Sequence, residues 1–521
     1  MRSGTRRGWG GILCWIGLLL VAAVRPAPAQ EAPPDTTQDV VLIRQADRGT
    51  RQVEDGEPVR RLAGHVHLQQ GETYLWADEA RQYEQRGEIV FRGDVRIVER
   101  GDSLSADTVF YDSNTKVGRA RGRVELTDGD VLVFAPSGLY FTREKRAQFE
   151  EGVTMVDSAS TLRSRAGQYW SEEKRAVFYG DVRLDARASR LEADSVTYFR
   201  ETEVADARGH VFIERFGDTD AGDQPDSSAV TLLFGERAYN DDPNGLSRME
   251  VDALLIQLRA DTAAADPSID TLLIRADRLE ASRRDSLRRL IAVGDVQIWQ
   301  RGFAARADSV VYDRIERVTR DELGREQTER IEDVRLFRQP IGWFEQTQVS
   351  GDTLRVTRRG GRTDSLIVRG QAFVAQRDTL LDRIQQLQGR HLVGLFEQDS
   401  LRRLDVGPNA EAIYYLAEDD RPNGGVQLSG DRIVFRFEGG TLKRIRGLRG
   451  IEGTYYPEEL LPASFQLSRY RWEPERRPAD TSLLDREDVP GPLDAALERL
   501  QARGRPTSGE GASPAVSDPP G

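Results

Sequence analysis

Cysteine, histidine, lysine and asparagine are nearly missing from this 521-residue chain, which has one Cys, four His, four Lys and five Asn. So little Cys and His excludes a disulfide framework and leaves hardly any material for a zinc site. Five Asn cannot build the stacked Asn ladders that many parallel β-helices use. The net charge of −12, with no Lys/Arg block, argues against a nucleic-acid partner, because an acidic chain repels phosphate unless it carries a separate basic face. Long apolar runs are missing too: the longest, residues 11–24, falls short of the ~20 residues that span a bilayer as a helix. Of the 74 basic residues 70 are Arg, whose forks suit phosphate and carboxylate, although a GC-rich genome gives the same bias.

What is present begins with an address. Arg2, Arg6 and Arg7 precede the apolar run, and Ala27 and Ala29 flank Pro28 as an A-x-A site, the pattern of a secretory signal cleaved after Ala29. Cys14 lies inside that signal, so the expected mature chain is cysteine-free, which suits an oxidising compartment.

Internal repeats dominate the remainder. Glycines 64, 93, 122, 152, 180 and 209 are 29, 29, 30, 28 and 29 residues apart, and alternating apolar residues follow each. The pairs are Val66 and Leu68, Val95 and Ile97, Val124 and Leu126, Val153 and Met155, Val182 and Leu184, and Val211 and Ile213, returning at Val296 and Ile298 after Gly294. Between them lies an Ala-Asp signature at Asp78, Asp107, Asp194, Asp277 and Asp308. Period-2 alternation bounded by Gly and Asp predicts strands, two per ~29-residue rung. Stacked rungs form an elongated double sheet with one apolar interior. In the Ala-Asp strands the apolar phase slips by one, from Leu191 and Ala193 to Val196 and Tyr198, which marks a bulge or corner. The predicted core is a groove if the sheets splay and a dry core if they close.

No catalytic constellation stands out: there is no G-x-S-x-G elbow, phosphate-cradling Gly loop or H-E-x-x-H. His65 and His67, at i and i+2 on one predicted strand face, lack a visible third metal ligand. The Asp row could hold calcium, but such residues more often cap turns or pair with Arg. No metal, cofactor or enzymatic activity is assigned. Besides a lipid groove, the pattern suits a secreted structural or adhesive β-solenoid with a dry core; a carbohydrate-active β-solenoid would need clustered carboxylates that nothing singles out.

The stretches RGDVRI at 92–97 and LSADTVFYD at 104–112 resemble the strands of the OstA-like periplasmic proteins of lipopolysaccharide transport. So do GRHLVGLF at 389–396, LDVGPNAEAIYY at 404–415, SGDRIVF at 429–435, LKRI at 442–445 and TYYP at 454–457. The resemblance spans about 40–475. It implies an all-β, twisted, partly open β-jellyroll that holds lipid A acyl chains of lipopolysaccharide in its interior. It also implies end-to-end strand addition with other OstA-like proteins, docking to the outer-membrane assembly protein, and a periplasmic location next to the outer membrane. The lipid-facing row under this resemblance is Val66, Leu68, Val95, Ile97, Val124, Leu126, Val153, Met155, Val182, Leu184, Val211, Ile213, Val296 and Ile298. The expected organisation is a signal peptide at 1–29, an extension at 30–58 and OstA-like rungs at 59–216. An acidic loop or linker at 217–228 carries four Asp, and a second OstA-like region with insertions covers 229–388. A C-terminal OstA-like region covers 389–473, and a mostly disordered tail at 474–521 contains one short amphipathic helix over 492–503, with Leu493, Ala496, Leu497 and Leu500 on one face.

Overall fold

A computed structural model describes residues 41–504, apart from 100–101, 128, 130, 142, 159, 171, 217–228, 242, 262–267, 285–286, 321–325, 419–420 and 440. The expected signal peptide, the acidic linker and the last residues of the tail lie outside the described residues.

The described chain is all-β, a single antiparallel sheet of 32 strands with two short α-helices near its C-terminus. From Glu57–Gln70 to Leu132–Phe141 each strand pairs with its sequence neighbours, and where later strands are split at mid-length, as Arg146–Glu150 and Val153–Val156 are, the two pieces pair separately with the neighbouring strands. Most strands are bent at mid-length. Between Glu88–Glu99 and Asp102–Asp112 the register jumps from Arg92 facing Thr108 to Val95 facing Ala106, two residues opposite one. This bulge recurs at Gly64, Gly122, Gly209 and Gly294 and folds each strand into two arms.

The corner explains both repeated signatures. Gly93 has φ 77° and Asp94 φ 39°, and a Cβ on Gly93 would fall inside the carboxylate of Asp78 on the preceding strand. Only glycine tolerates both conditions. The same fit joins Asp47 to Gly64, Asp107 to Gly122, Asp194 to Gly209, Asp277 to Gly294 and Asp352 to Gly370. The Ala-Asp strands slip phase because they contribute one residue to the corner where the Gly strands contribute two.

Inner side chains from both arms enter one cluster that runs from Val66 to Phe435. At each end of the sheet the arms finish as separate edge strands. Among the described residues, Leu42–Gln45 and Arg48–Glu54 pair only with Glu57–Gln70. Among the same residues Thr441–Leu448 pairs only with Arg432–Glu438, and Glu452–Tyr456 only with Arg421–Gly430.

The tail departs from expectation. Residues 457–504 run back over the outer face of the arm that follows the glycine corner, and the helix Pro490–Gly504 lies against it with Ala496 and Leu500 buried. The stretch from 474 to 504 is therefore folded, because its apolar face meets strands whose outer side chains are apolar as well.

Candidate functional site

The interior is built from four cross-strand rows. Next to the corner, valine alternates with a small residue: Val66 faces Ala77, Val95 faces Ala106, Val124 faces Ala135, Val153 faces Ser164 and Val182 faces Ala193. Two bulky residues would collide where the arms converge. All of these except Ser164 belong to the apolar cluster.

One step further from the corner on the same arm runs a directly paired aliphatic row. It passes from Leu68 to Leu75, Ile97, Leu104, Leu126, Val133, Met155, Leu162, Leu184, Leu191, Ile213, Leu233, Leu255, Ile274 and Ile298. Its burial is uneven. From Leu68 to Val133 every member is buried, whereas Leu184, Leu191, Ile213, Leu233 and Leu255 are consecutive and only half-buried. At ~4.8 Å per strand they form an exposed aliphatic strip roughly 19 Å long.

The fourteen residues of the expected inner row all lie in this interior: eleven are buried, and Met155, Leu184 and Ile213 are partly exposed. The opposite arm is aromatic, which the sequence reading did not resolve. Tyr111, Gly118, Tyr140, Ala147, Tyr169 and Ala176 form one row, and Phe149 and Phe178 lie over Gly138 and Gly167 in the next. The 29-residue spacing of Tyr111, Tyr140, Tyr169 and Tyr198 was the available signal.

The Asp row is part of the corner. After several of the corner glycines, the next residue reaches back to the same Asp: Arg123 Nε donates to Asp107 Oδ1 at 2.8 Å, and His65 and His210 Nδ1 lie 2.9 and 3.0 Å from Asp47 and Asp194. These bonds, followed by the charges of the same Asp residues, raise both histidine pKa values above the ordinary imidazole range. In one rung the charges are exchanged: Arg165 occupies the Asp position beside Gly180 and pairs with Asp181. Among the described residues no three His, Cys, Asp or Glu side chains are grouped as metal ligands. His65 and His67 both flank the inward Val66, and their rings engage different partners. His65 sits in the corner at φ 47°, while His67 stacks on Trp76 with ring centroids 4.9 Å apart.

No described helix is long and apolar enough to cross a membrane. Residues 38–194 match the family described as OstA-like protein. Among solved structures, the chain matches the crystal structure of LptH from Pseudomonas aeruginosa, titled as the LptA homologous periplasmic component of the conserved lipopolysaccharide transport device. The identity is 16%, 31% of this chain and 92% of that chain are covered, and the TM-score is 0.15. No curated protein matches.

Proposed function

Residues 38–194 belong to the OstA-like family, and from that premise we propose that this chain is a non-enzymatic periplasmic carrier that shields the acyl chains of lipopolysaccharide on their way to the outer membrane. The observation that carries it is the strip Leu184, Leu191, Ile213, Leu233 and Leu255, five consecutive aliphatic side chains of one row left half-buried beside the buried core. A row serving only as core would be expected to be buried throughout, as it is from Leu68 to Val133. Each methylene moved from water into the strip contributes ~0.8 kcal/mol, so several acyl chains are held without any single strong contact. Rows that continue from strand to strand let a chain slide without crossing a polar barrier, so an energy source elsewhere can drive movement.

The exposed edges at both ends suit strand addition by OstA-like partners, and the outer-membrane assembly protein is the proposed acceptor. The signal-like N-terminus supports export to the periplasm. A photo-crosslinking amino acid at Leu184, Ile213 or Leu233 should capture purified lipopolysaccharide, while one at the outward-facing Arg183 should not. Equal capture at both classes, or none at the three inner positions, overturns the proposal.

A further inference from the structure

The last rung carries charge of the wrong sign for the rest of the molecule. In a chain of net charge −12, residues 432–449 contain Arg432, Arg436, Lys443, Arg444, Arg446 and Arg449 against the single acid Glu438. The register sets three of the arginines abreast: Arg403 faces Arg436, and Arg436 faces Arg444. Like charges directly opposite on neighbouring strands destabilise a sheet. Elsewhere on the outer surface neighbouring arginines share an acid: Arg208 and Arg237, which face each other, both pair with Asp206, and Arg289 and Arg335 both pair with Asp313. Here Asp405 neutralises Arg403 and Arg432, while Arg436, Arg444, Arg446 and Arg449 have no ion-pair partner among the described residues.

Apolar side chains are exposed on the same rung. Ile445 on the edge strand is 38% exposed, Ile451 in the following turn 46% and Tyr455 on the other edge strand 50%. Ile451 lies across Gly430 and Gly447. Unpaired guanidinium groups beside exposed aliphatic and tyrosine side chains are the combination that settles at a lipid–water interface, with cations at the phosphates and Tyr at headgroup depth.

We propose that this C-terminal end is a membrane contact that docks the molecule end-on to an anionic phospholipid bilayer. The acidic remainder of the chain opposes side-on contact, so charge sets the orientation as well as the affinity. The inference does not depend on the interior carrying lipid.

The test is flotation of the full chain with vesicles of phosphatidylcholine containing 30 mol% phosphatidylglycerol, free of lipopolysaccharide. Binding should exceed that to pure phosphatidylcholine by at least tenfold and disappear in 0.5 M salt. The triple variant R444E/R446E/R449E should lose at least tenfold with an unchanged circular dichroism melt, while R444K/R446K/R449K should retain binding. The proposal is overturned if the wild-type chain fails to float, if it binds both vesicle types equally, or if the charge-reversed variant floats normally. In the last case the basic rung serves an acidic protein instead. The salt dependence of the wild-type chain decides the matter independently should the reversed variant misfold.

Discussion

The same arm has two different outer faces in the two halves of the molecule. In the front rungs the outward positions next to the aliphatic row are His67, Trp76, Arg96, Ser105, Glu125, Phe134, Thr154, Arg163 and Arg183, a mostly polar surface. From Phe212 onward the equivalent positions turn apolar. Phe212, Leu232, Phe234, Leu254, Ile256 and Leu273 are all buried on the outside of the sheet, beneath Leu483, Val489, Ala496 and Leu500. Further along, Phe373, Ala375 and Ile413 lie beneath Phe465 and Leu467.

The front half is therefore a sheet with one buried face, and the rear half a sheet with two. Three glutamines join the layers. Gln386 Oε1 accepts from Leu467 N at 2.9 Å while its Nε2 donates to Phe465 O at 3.2 Å. Gln348 holds Glu473 N and Arg471 O in the same way, and Gln388 holds Arg469 N. Each side-chain amide substitutes for a strand backbone, satisfying main-chain groups of a segment that runs across the sheet and cannot pair with it. The difference teaches that rungs of one design can serve as an adaptable front or a braced rear, according to their outward residues.

The strongest way to break this comparison is to end the chain after residue 473. Leu483, Val489 and Leu500 each contribute roughly 1.5–3 kcal/mol of burial, so the loss is expected to be about 4.5–9 kcal/mol and to expose the outer apolar face. Soluble yield and dye binding to exposed apolar surface measure it. A truncated chain as soluble and cooperative as the full one would show that the rear needs no brace.

Next comes Gln386→Leu, which leaves Leu467 N buried without a partner and Phe465 O with only the Tyr415 hydroxyl at 3.4 Å, and should cost about 1–3 kcal/mol. Arg96→Ala on the bare front should stay within about 0.5 kcal/mol. Denaturant titration separates these values, and equal costs would erase the distinction between the faces.

The corner belongs to both halves, so Gly93→Ala and Gly294→Ala should be similarly destabilising, by ~2 kcal/mol or more. Each adds the left-handed penalty to the displacement of an Asp carboxylate. A large disparity would mean that the outer layer also supports the corner.

A smaller effect is expected at the charge-exchanged corner. Arg165→Asp or Asp181→Arg alone should cost at most about 1 kcal/mol, and the double exchange should recover it, because the pair is solvent-exposed. A double-mutant cycle without coupling would reduce that pair to coincidence.

Smallest is the titration of His210, which NMR should find above the ordinary imidazole value, returning towards it in Asp194→Asn. Because its folded-state pKa is raised, the contribution of this pair is complete below pH ~6.5 and is lost as pH rises through the folded value.

Much of the front half was legible in advance. Val95 and Ile97, or Val182 and Leu184, disclose their face by alternation, a property of the extended backbone that requires no knowledge of the neighbouring strand. The phase slip at Ala193 disclosed the corner. Its partner could not be read the same way, because Asp78 and Gly93 meet only once the strands are in register. The rear gave a signal of another kind: AVTLLF at 229–234 and ALLI at 253–256 abandon alternation, as strands buried on both faces do. What covers them was illegible, since Leu500 reaches the strand of Phe234 across more than 250 residues of chain. The half-exposure of Leu184 through Leu255 was equally hidden, because the spread of two arms is a property of their packing.

The sequence by itself determined the period and the inward rows. Each follows from residue type and spacing along one strand. Only the tertiary structure decided that the corner Asp residues fit over a Gly one strand away, that the tail braces the rear, and that the arginines of the last rung stay without ion-pair partners among the described residues. Those outcomes depend on which residues the register and the turning of the chain bring side by side.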